Sequence, residues 1–210
     1  MLIDFILHID KHLDSIVSNY GTFSYAVLFF IVFCETGLII TPFLPGDSLL
    51  FAAGAISARG SLNPFLLAGL LWCAATLGNT VNYFVGKKAG PLILEKLNGR
   101  IIKQKHLDKT AAYFEKYGSK TIVLAQFMPI IRTISPFSAG IGKMNYRTFI
   151  TYNLLGATLW IGCFVTAGYL FGETPIVKKN FTLVIMAIIG ISILPALIEV
   201  IRAKRRKKSN

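Results

Sequence analysis

The chain alternates long apolar stretches with short polar ones, the pattern of a protein built from membrane helices. Residues 62–86, 146–172 and 180–202 are each apolar over roughly the 20 residues that one spanning helix requires. Residues 1–20 instead place apolar side chains at helical spacing between polar ones, which predicts an amphipathic helix on the membrane surface or on the bundle. Residues 87–118 are polar and amphipathic, and predict a cytoplasmic helical connector.

Two further apolar stretches, residues 22–57 and 119–142, are too interrupted to span as single helices. In the first, about 13 apolar residues precede Glu35, fewer than the roughly 20 of a spanning helix. The second carries Arg132 inside a similar run. Both stretches contain prolines, which break or kink helices: Pro42, Pro45, Pro129 and Pro136. Each stretch is therefore predicted to form a re-entrant helical hairpin.

The two interrupted stretches also repeat each other. The spacing from Tyr20-Gly21 to Glu35 equals that from Tyr117-Gly118 to Arg132, at an offset of 97. Later matches share an offset of 86: Ala53-Gly54 with Ala139-Gly140, and Tyr83 and Gly86 with Tyr169 and Gly172. The matches predict a duplicated unit of one hairpin and one spanning helix. We therefore predict an all-α membrane protein whose single domain, residues 21–202, contains this repeat and an extra C-terminal spanning helix.

Composition agrees with a membrane protein rather than a soluble one. Hydrophobic residues make up 54% of the 210 residues, charged residues make up 15%, and the mean hydropathy is +0.60. The net charge of +12 comes largely from two basic blocks beside apolar spans, Lys87–Lys120 and Arg202–Lys208. Such blocks mark cytoplasmic flanks under the positive-inside rule, so nucleic acid is not expected as a partner.

The basic blocks also orient the chain. If both are cytoplasmic, helix 62–86 runs inward, helix 146–172 runs outward and helix 180–202 returns, so residues 203–210 form a basic cytoplasmic tail. A hairpin that returns to its own side leaves the N-terminus outside. The two units then have inverted topology, an arrangement that places a site near the midplane between broken helices.

Three charged residues lie at membrane depth, where charges are costly unless they line a protected or watery cavity: Glu35, Asp47 and Arg132. Broken helices also expose N–H groups at the starts of their second halves, expected near Ser48 and Phe137, and such ends attract anions. Arg132 adds a guanidinium fork that fits a phosphate. Glu35 is a candidate proton carrier, and Asp47 either shares that role or caps the helix at Ser48.

The competing interpretation is a structural ion pair between Glu35 and Arg132. We favour the functional one, because a buried pair costs desolvation free energy and is a poor source of stability. A metal site on His8 and His12 is conceivable but less favoured, since histidines on a polar helix face need no ligand. The three cysteines lack ligand or disulfide spacing, so neither a metal nor a cofactor is expected.

At these residues the chain resembles the DedA family, which carries the VTT (SNARE-associated) domain, over nearly all of residues 20–202. The matching runs are Glu35 with Pro45-Gly46-Asp47, then Gly78 with Tyr83, Gly86 and Gly90, and then Phe127-Met128-Pro129 with Arg132, Ala139-Gly140 and Met144. The resemblance implies a transporter of the bacterial cytoplasmic membrane that moves phosphate-bearing lipids between leaflets. Undecaprenyl phosphate is the best known cargo, phosphatidylethanolamine is another, and proton coupling has been proposed. The implied transport residues include Pro45, Gly46, Tyr83 and Pro129 beside the three charges.

Two positions depart from the family pattern. Asn79 stands where relatives usually have Asp, and Gln126 where they usually have Arg. One acid and one base are absent together, so the summed charge of these membrane positions is unchanged. We therefore predict that Asn79 and Gln126 touch, and that a neutral hydrogen bond replaces an ion pair of the relatives.

The leading hypothesis is a lipid flippase or scramblase, with undecaprenyl phosphate as its cargo. The alternatives are a scramblase of phosphatidylethanolamine or general phospholipids and a proton-coupled carrier of a small solute; a structural assembly factor is less favoured. A lipid phosphatase is disfavoured because the three histidines, His8, His12 and His106, form no phosphatase-like constellation. The expected partners are a membrane phospholipid or polyprenyl phosphate and protons, and the sequence leaves a homo-oligomer open.

Overall fold

The computed structural model describes residues 15, 17, 19–38, 46–97 and 104–192 of the chain. All regular structure in these residues is helical. Short 3₁₀ turns, Gly21–Phe23 and Gly118–Lys120, precede the two helical hairpins. The helices are α1 (Ser24–Gly37), α2 (Gly46–Ala58), α3 (Pro64–Leu97), α4 (Gln104–Tyr117), α5 (Thr121–Ala125), α6 (Pro129–Ile141), α7 (Tyr146–Phe171), α8 (Pro175–Lys179) and α9 (Phe181–Ser192).

Among the described residues, α3 and α7 are the two helices long and apolar enough to cross a membrane, with candidate spans Pro64–Gly90 and Tyr146–Phe171. Each begins at an asparagine cap. The side-chain oxygen of Asn63 accepts the N–H groups of Phe65 and Leu66, and that of Asn145 accepts the N–H of Arg147. The caps explain why both helices start where they do.

The predicted boundary at residue 86 is wrong, because α3 continues to Leu97. Lysine, leucine and glutamate favour helix, so polar composition after residue 86 changes the surroundings of the helix without ending it. The connector helix is instead α4, which packs against α6. Within the predicted helix 180–202, residues 181–192 are helical, and the predicted amphipathic helix 1–20 and basic tail lie almost wholly outside the described residues.

The short helices form two helical hairpins. Helix α1 runs parallel to α3, since Tyr25 accepts the Asn63 N–H at one end and Gly37 abuts Gly78 further along. Helix α3 runs antiparallel to α7, as the contact of Trp72 with Thr158 and that of Asn79 with Asn153 show. Helix α2 runs parallel to α7, because Phe51 abuts Gly168 and Ala55 abuts Gly172, so the chain reverses between α1 and α2. Helix α6 likewise runs parallel to α3, because Phe137 abuts Gly86 and Ile141 abuts Gly90.

Each hairpin packs its second helix against the long helix of the other unit. Helix α2 lies on α7 and helix α6 lies on α3, and these are the two most extensive helix contacts among the described residues. Glycines allow both crossings, because a Cβ atom there would collide with backbone of the facing helix. The collisions are Gly54 with Val165, Gly168 with Phe51, Gly140 with Tyr83 and Gly86 with Phe137. Gly54 and Gly140, like Phe51 and Phe137, have the offset of 86.

The second hairpin breaks earlier than predicted. Its second helix does not start near Phe137 but at Pro129, and the chain turns over residues 126–128. Proline at the first helical position loses no intrahelical hydrogen bond, which makes Pro129 a helix start. Pro136 lies inside α6, where it removes the N–H that the Arg132 carbonyl would accept in a regular helix.

The largest apolar core joins α1, α2, α3, α7 and α9 and includes Leu49, Leu67, Trp160 and Ile185. A second cluster at the other end of α3 includes Tyr83, Ile122 and Phe149, with the Tyr83 and Phe149 rings stacked at 4.5 Å between centroids. The polar residues described next lie between these two clusters.

Candidate functional site

Three charged side chains meet where the two hairpins face each other. The Arg132 guanidinium donates from Nη1 to Asp47 Oδ1 at 2.8 Å and from Nη2 to Glu35 Oε1. Glu35, Asp47 and Arg132 are 1%, 6% and 2% exposed. With all three ionised, the cluster carries a net charge of −1 in a place that water reaches poorly. Such an excess charge is costly without a proton or another counter-charge.

The hairpin breaks bring these residues together. Glu35 lies in the last turn of α1, Asp47 in the first turn of α2 and Arg132 in the first turn of α6. The Glu35 carboxylate lies against Gly46, where any Cβ atom would overlap it. A side chain at position 46 would therefore displace the Glu35 carboxylate from its present position beside Arg132. Both carboxylates also lie near the N-terminus of α2, where the helix dipole favours negative charge.

Asp47 has more partners than the sequence predicted. Its Oδ1 accepts the Trp160 indole N–H at 2.8 Å as well as Arg132, and its Oδ2 accepts the Ser192 hydroxyl. Helix α2 begins at Gly46 rather than Ser48, and the Asp47 side chain binds these neighbours instead of capping the helix. The Trp160 ring also lies under Arg132, with the guanidinium carbon 4.3 Å from the ring centroid.

Asn82 ties the two hairpin breaks to α3. Its side-chain nitrogen donates to the Thr36 carbonyl at 3.2 Å and to the Thr133 carbonyl at 2.7 Å. These acceptors directly follow Glu35 and Arg132 in the chain. A single amide on α3 thereby fixes the two residues next to the ion pair, and Asn82 itself is fully buried.

Several buried polar side-chain atoms, in the cluster, on α3, on α6 and in the turn before α6, have no hydrogen-bond partner within the described protein. Two of these atoms belong to the charged cluster: the Nε donor of Arg132 and the Oε2 acceptor of Glu35. The others are Thr76 Oγ1, Asn79 Oδ1, Asn82 Oδ1, Gln126 Oε1, Ser135 Oγ and Ser138 Oγ. Buried polar atoms are normally satisfied, so this concentration suits a polar ligand or water.

The predicted contact between Asn79 and Gln126 is wrong. Asn79 donates instead to the side-chain oxygen of Asn153 on α7 at 2.8 Å, and Asn153 donates to the Thr76 carbonyl. The Gln126 side chain lies against Gly156, one turn further along α7, while its backbone carbonyl accepts from Arg132 at 3.3 Å. Charge compensation in the sequence identifies residues of one polar region, and it does not identify which pair touch.

The remaining predicted residues divide between the site and its supports. Gly46 lines the cluster, and Pro129 starts the helix that carries Arg132. Tyr83 lies in the second apolar cluster, where its hydroxyl donates to the Met144 carbonyl, so it supports the fold at a distance from the charges. Pro45 lies outside the described residues.

Sequence reasoning missed Trp160, Ser192, Asn82 and Asn153. The asparagines carried a usable signal, since amides in apolar spanning helices are uncommon and mark polar pathways. Trp160 and Ser192 carried none, because each stands among apolar residues of its helix and only the tertiary packing brings it to Asp47.

The cluster lies midway along the two long helices. On α3, the backbone next to the end of α1 is that of Gly78, near the centre of the candidate span Pro64–Gly90. On α7, Trp160 is near the centre of Tyr146–Phe171. An open apolar groove, which includes Tyr25, Phe29 and Leu70, lies between α1 and α3 on the side of the α3 start.

Comparisons with known proteins agree with this picture of a membrane protein. The VTT domain family model matches residues 44–170. The chain is 52% identical to Protein DedA of Escherichia coli (strain K12), over 97% of this chain and 94% of that protein. It is 40% identical to Uncharacterized membrane protein Rv0364 of Mycobacterium tuberculosis, over 90% of this chain and 85% of the relative. Inner membrane protein YghB of E. coli is 32% identical over 84% and 78%. No solved structure matches the chain.

Proposed function

Because the chain belongs to the DedA family of VTT-domain membrane proteins, we propose that it is a lipid translocase that moves a phosphate-bearing lipid between membrane leaflets. Undecaprenyl phosphate is the cargo that we favour. The observation that carries the proposal is the buried cluster of Glu35, Asp47 and Arg132 at two helix breaks, midway along the two long apolar helices. A site of this kind suits a headgroup that must pass the membrane centre.

The topology that fits this function is an inverted repeat of two re-entrant hairpins. In it, the basic ends of α3 and α7, which carry Lys87 and Arg147, face the cytoplasm of a bacterial inner membrane. The matched crossings of α2 on α7 and α6 on α3 support the repeat. Cysteines introduced at residues 10 and 176 should then react with an impermeant thiol reagent from outside the cell, whereas one at residue 104 should not. Labelling at 104 would contradict the orientation.

Proton coupling follows from competition for one guanidinium. Both terminal nitrogens of Arg132 are held by carboxylates and Nε has no partner, so a phosphate that binds two nitrogens has to replace one carboxylate. A proton on Glu35 removes its charge and releases Nη2, which together with Nε can then bind a phosphate in the bidentate manner that arginine favours. Loss of the headgroup returns Nη2 to an ionised Glu35. Proton uptake and phosphate binding are thus linked through the same atom.

The apolar part of the cargo needs no enclosed cavity. The acyl or polyprenyl chain stays in the bilayer while the headgroup crosses, and the apolar groove between α1 and α3 is a surface along which such a chain can lie. A carrier of a small solute would instead need a site closed to lipid on all sides.

Transport by purified protein in liposomes tests the proposal. Arg132→Ala should abolish translocation of undecaprenyl phosphate, because a phosphate loses a partner worth about 2–5 kcal/mol in a desolvated site. Arg132→Lys should restore it only partly, since lysine lacks the fork. Arg59→Ala is the matched control, because Arg59 is also ion-paired, to Glu173, but lies outside the cluster. Normal transport by folded Arg132→Ala protein would refute the proposal. If the protein moves phosphatidylethanolamine but not undecaprenyl phosphate, phosphatidylethanolamine becomes the assigned cargo.

A further inference from the structure

The two carboxylates of the cluster differ in how completely they are held. Asp47 accepts three side-chain donors, from Arg132, Trp160 and Ser192. Glu35 accepts one side-chain donor, Arg132, and the backbone N–H of Gly46, while its Oε2 has no side-chain partner. Donors that point at a carboxylate stabilise its ionised form, so the asymmetry bears directly on which acid carries the proton.

Trp160 creates most of this asymmetry. An indole N–H can only donate, so its bond to Asp47 is made with an acceptor oxygen and favours the ionised acid. The face of the same ring stacks on the Arg132 guanidinium, which favours the cation. One fully buried side chain therefore holds both members of the Asp47–Arg132 pair in their charged states and in register.

We infer that Trp160 is a positioning residue. It keeps Asp47 ion-paired with Arg132 throughout the transport cycle, so that Glu35 is the acid that takes up and releases the proton. The inference rests on the proposed function, because it assigns a role within that transport cycle. The Nη1 atom of Arg132 then stays bound to Asp47 throughout, and only Nη2 changes partner between Glu35 and phosphate. A single proton per headgroup is the expected coupling.

The surroundings contain no further charge that acts on this pair of acids among the described residues. Helix α1 contributes Glu35, α2 contributes Asp47 and α6 contributes Arg132. The other elements contribute neutral groups: Asn79 and Asn82 from α3, Gln126 from the turn before α6, Trp160 and Asn153 from α7, and Ser192 from α9. A change of cluster charge between mildly acidic and neutral pH is therefore assigned to Glu35 or to Asp47.

Fluorescence distinguishes these two acids without any transport assay. The chain has two tryptophans, and Trp72, which donates to Thr158, lies away from the cluster. In Trp72→Phe protein, emission reports on Trp160 and on its bond to Asp47. In Trp72→Phe/Glu35→Gln protein we expect the emission to be independent of pH over the range of about pH 5 to 8 in which proteins commonly stay folded. The triple variant with Glu35→Gln and Asp47→Asn gives the reference emission of Trp160 beside an uncharged acceptor at position 47. A shift toward that emission on acidification of Trp72→Phe/Glu35→Gln protein would overturn the inference, because Asp47 would then take up the proton.

A transport assay in liposomes provides a second test of the role of Trp160. Glu35→Gln should make the translocation rate equal at acidic and neutral pH. Adding Trp160→Phe keeps a ring under Arg132 but removes the N–H donor to Asp47, and a pH dependence of the rate should then return. Adding Trp72→Phe to Glu35→Gln is the control, because it removes an indole N–H that donates to Thr158 and not to Asp47. It should leave the translocation rate independent of pH. If both double variants are independent of pH, Trp160 does not position Asp47. Wild-type protein that moves no lipid would refute the proposed function alone, and the fluorescence result would still decide the inference.

Discussion

The two hairpin-and-helix units of this chain share their backbone packing but not their charges. Helix α2 crosses α7 through Gly54 and Gly168, and helix α6 crosses α3 through Gly140 and Gly86. The first unit, however, brings two carboxylates to the centre, whereas the second brings one guanidinium. The packing of both units depends on close backbone approach at glycines, whereas attraction between the units at the centre depends on their opposite charges.

The largest expected effect comes from removing the charge of the second unit. Arg132→Ala leaves two carboxylates buried without a cation, which should lower the free energy of unfolding by about 3–5 kcal/mol. Thermal unfolding in detergent measures this loss. Combined Glu35→Gln, Asp47→Asn and Arg132→Gln substitutions should recover most of it, because the cluster is then neutral. If the Arg132→Ala protein has the same free energy of unfolding as wild type, the attraction between the opposite charges of the two units does not stabilise their packing.

Alanine at the crossing glycines tests the shared half of the comparison. Gly168→Ala places a methyl group against the Phe51 backbone and should cost about 1–3 kcal/mol, as overpacking does. Gly162→Ala, on the same helix with open space around it, should be neutral or stabilising by up to about 1 kcal/mol through helix propensity. Gly86→Ala and its control Gly69→Ala should behave alike in the other unit. Unequal costs of Gly168→Ala and Gly86→Ala would mean that the two crossings are not equivalent.

Contacts between the long helices are expected to have a smaller effect. Asn79→Ala and Asn153→Ala each remove a partner of one buried hydrogen bond, so a double-mutant cycle should give a coupling of about 0.5–1.5 kcal/mol. Gln126→Ala combined with Asn79→Ala should be additive within roughly 0.5 kcal/mol. Strong coupling of Asn79 to Gln126 would restore the contact that the sequence predicted.

The smallest effect is expected where α2 and α7 end, outside the candidate spans. Partial burial of Glu173 favours its neutral acid, but the hydrogen bonds and charges of Arg59 and Lys178 outweigh burial and lower the pKa of Glu173 below its ordinary value. Its contribution to stability is therefore present above the pKa of the unfolded chain and is lost as the pH falls through the folded pKa. Glu173→Gln should lower the melting temperature slightly at neutral pH and not at acidic pH. A partly exposed ion pair of this kind contributes about 0–1 kcal/mol, so an equal difference at both pH values would assign the effect to packing.

Sequence patterns predicted the helical class, the positions of α3 and α7 and the three central charges, because each depends on local composition. Apolar length identifies a long helix, and a charge in an apolar run stands out wherever it folds. The patterns did not place the break at residues 126–128, since Pro129 and Pro136 look alike in sequence and differ only in their position within α6. They also missed Trp160 and Ser192, whose role depends on contacts with a distant helix.

Each hairpin packs its second helix on the long helix of the other unit, and this arrangement constrains how the chain folds during synthesis. Helix α2 leaves the ribosome well before α7, and at ordinary rates of synthesis the delay is on the order of ten seconds. Throughout that interval the glycine surface of α2 lacks the helix that covers it in the folded chain, and only the arrival of α7 covers it. Neither half is expected to be stable alone, because each depends on a helix of the other half for its closest packing.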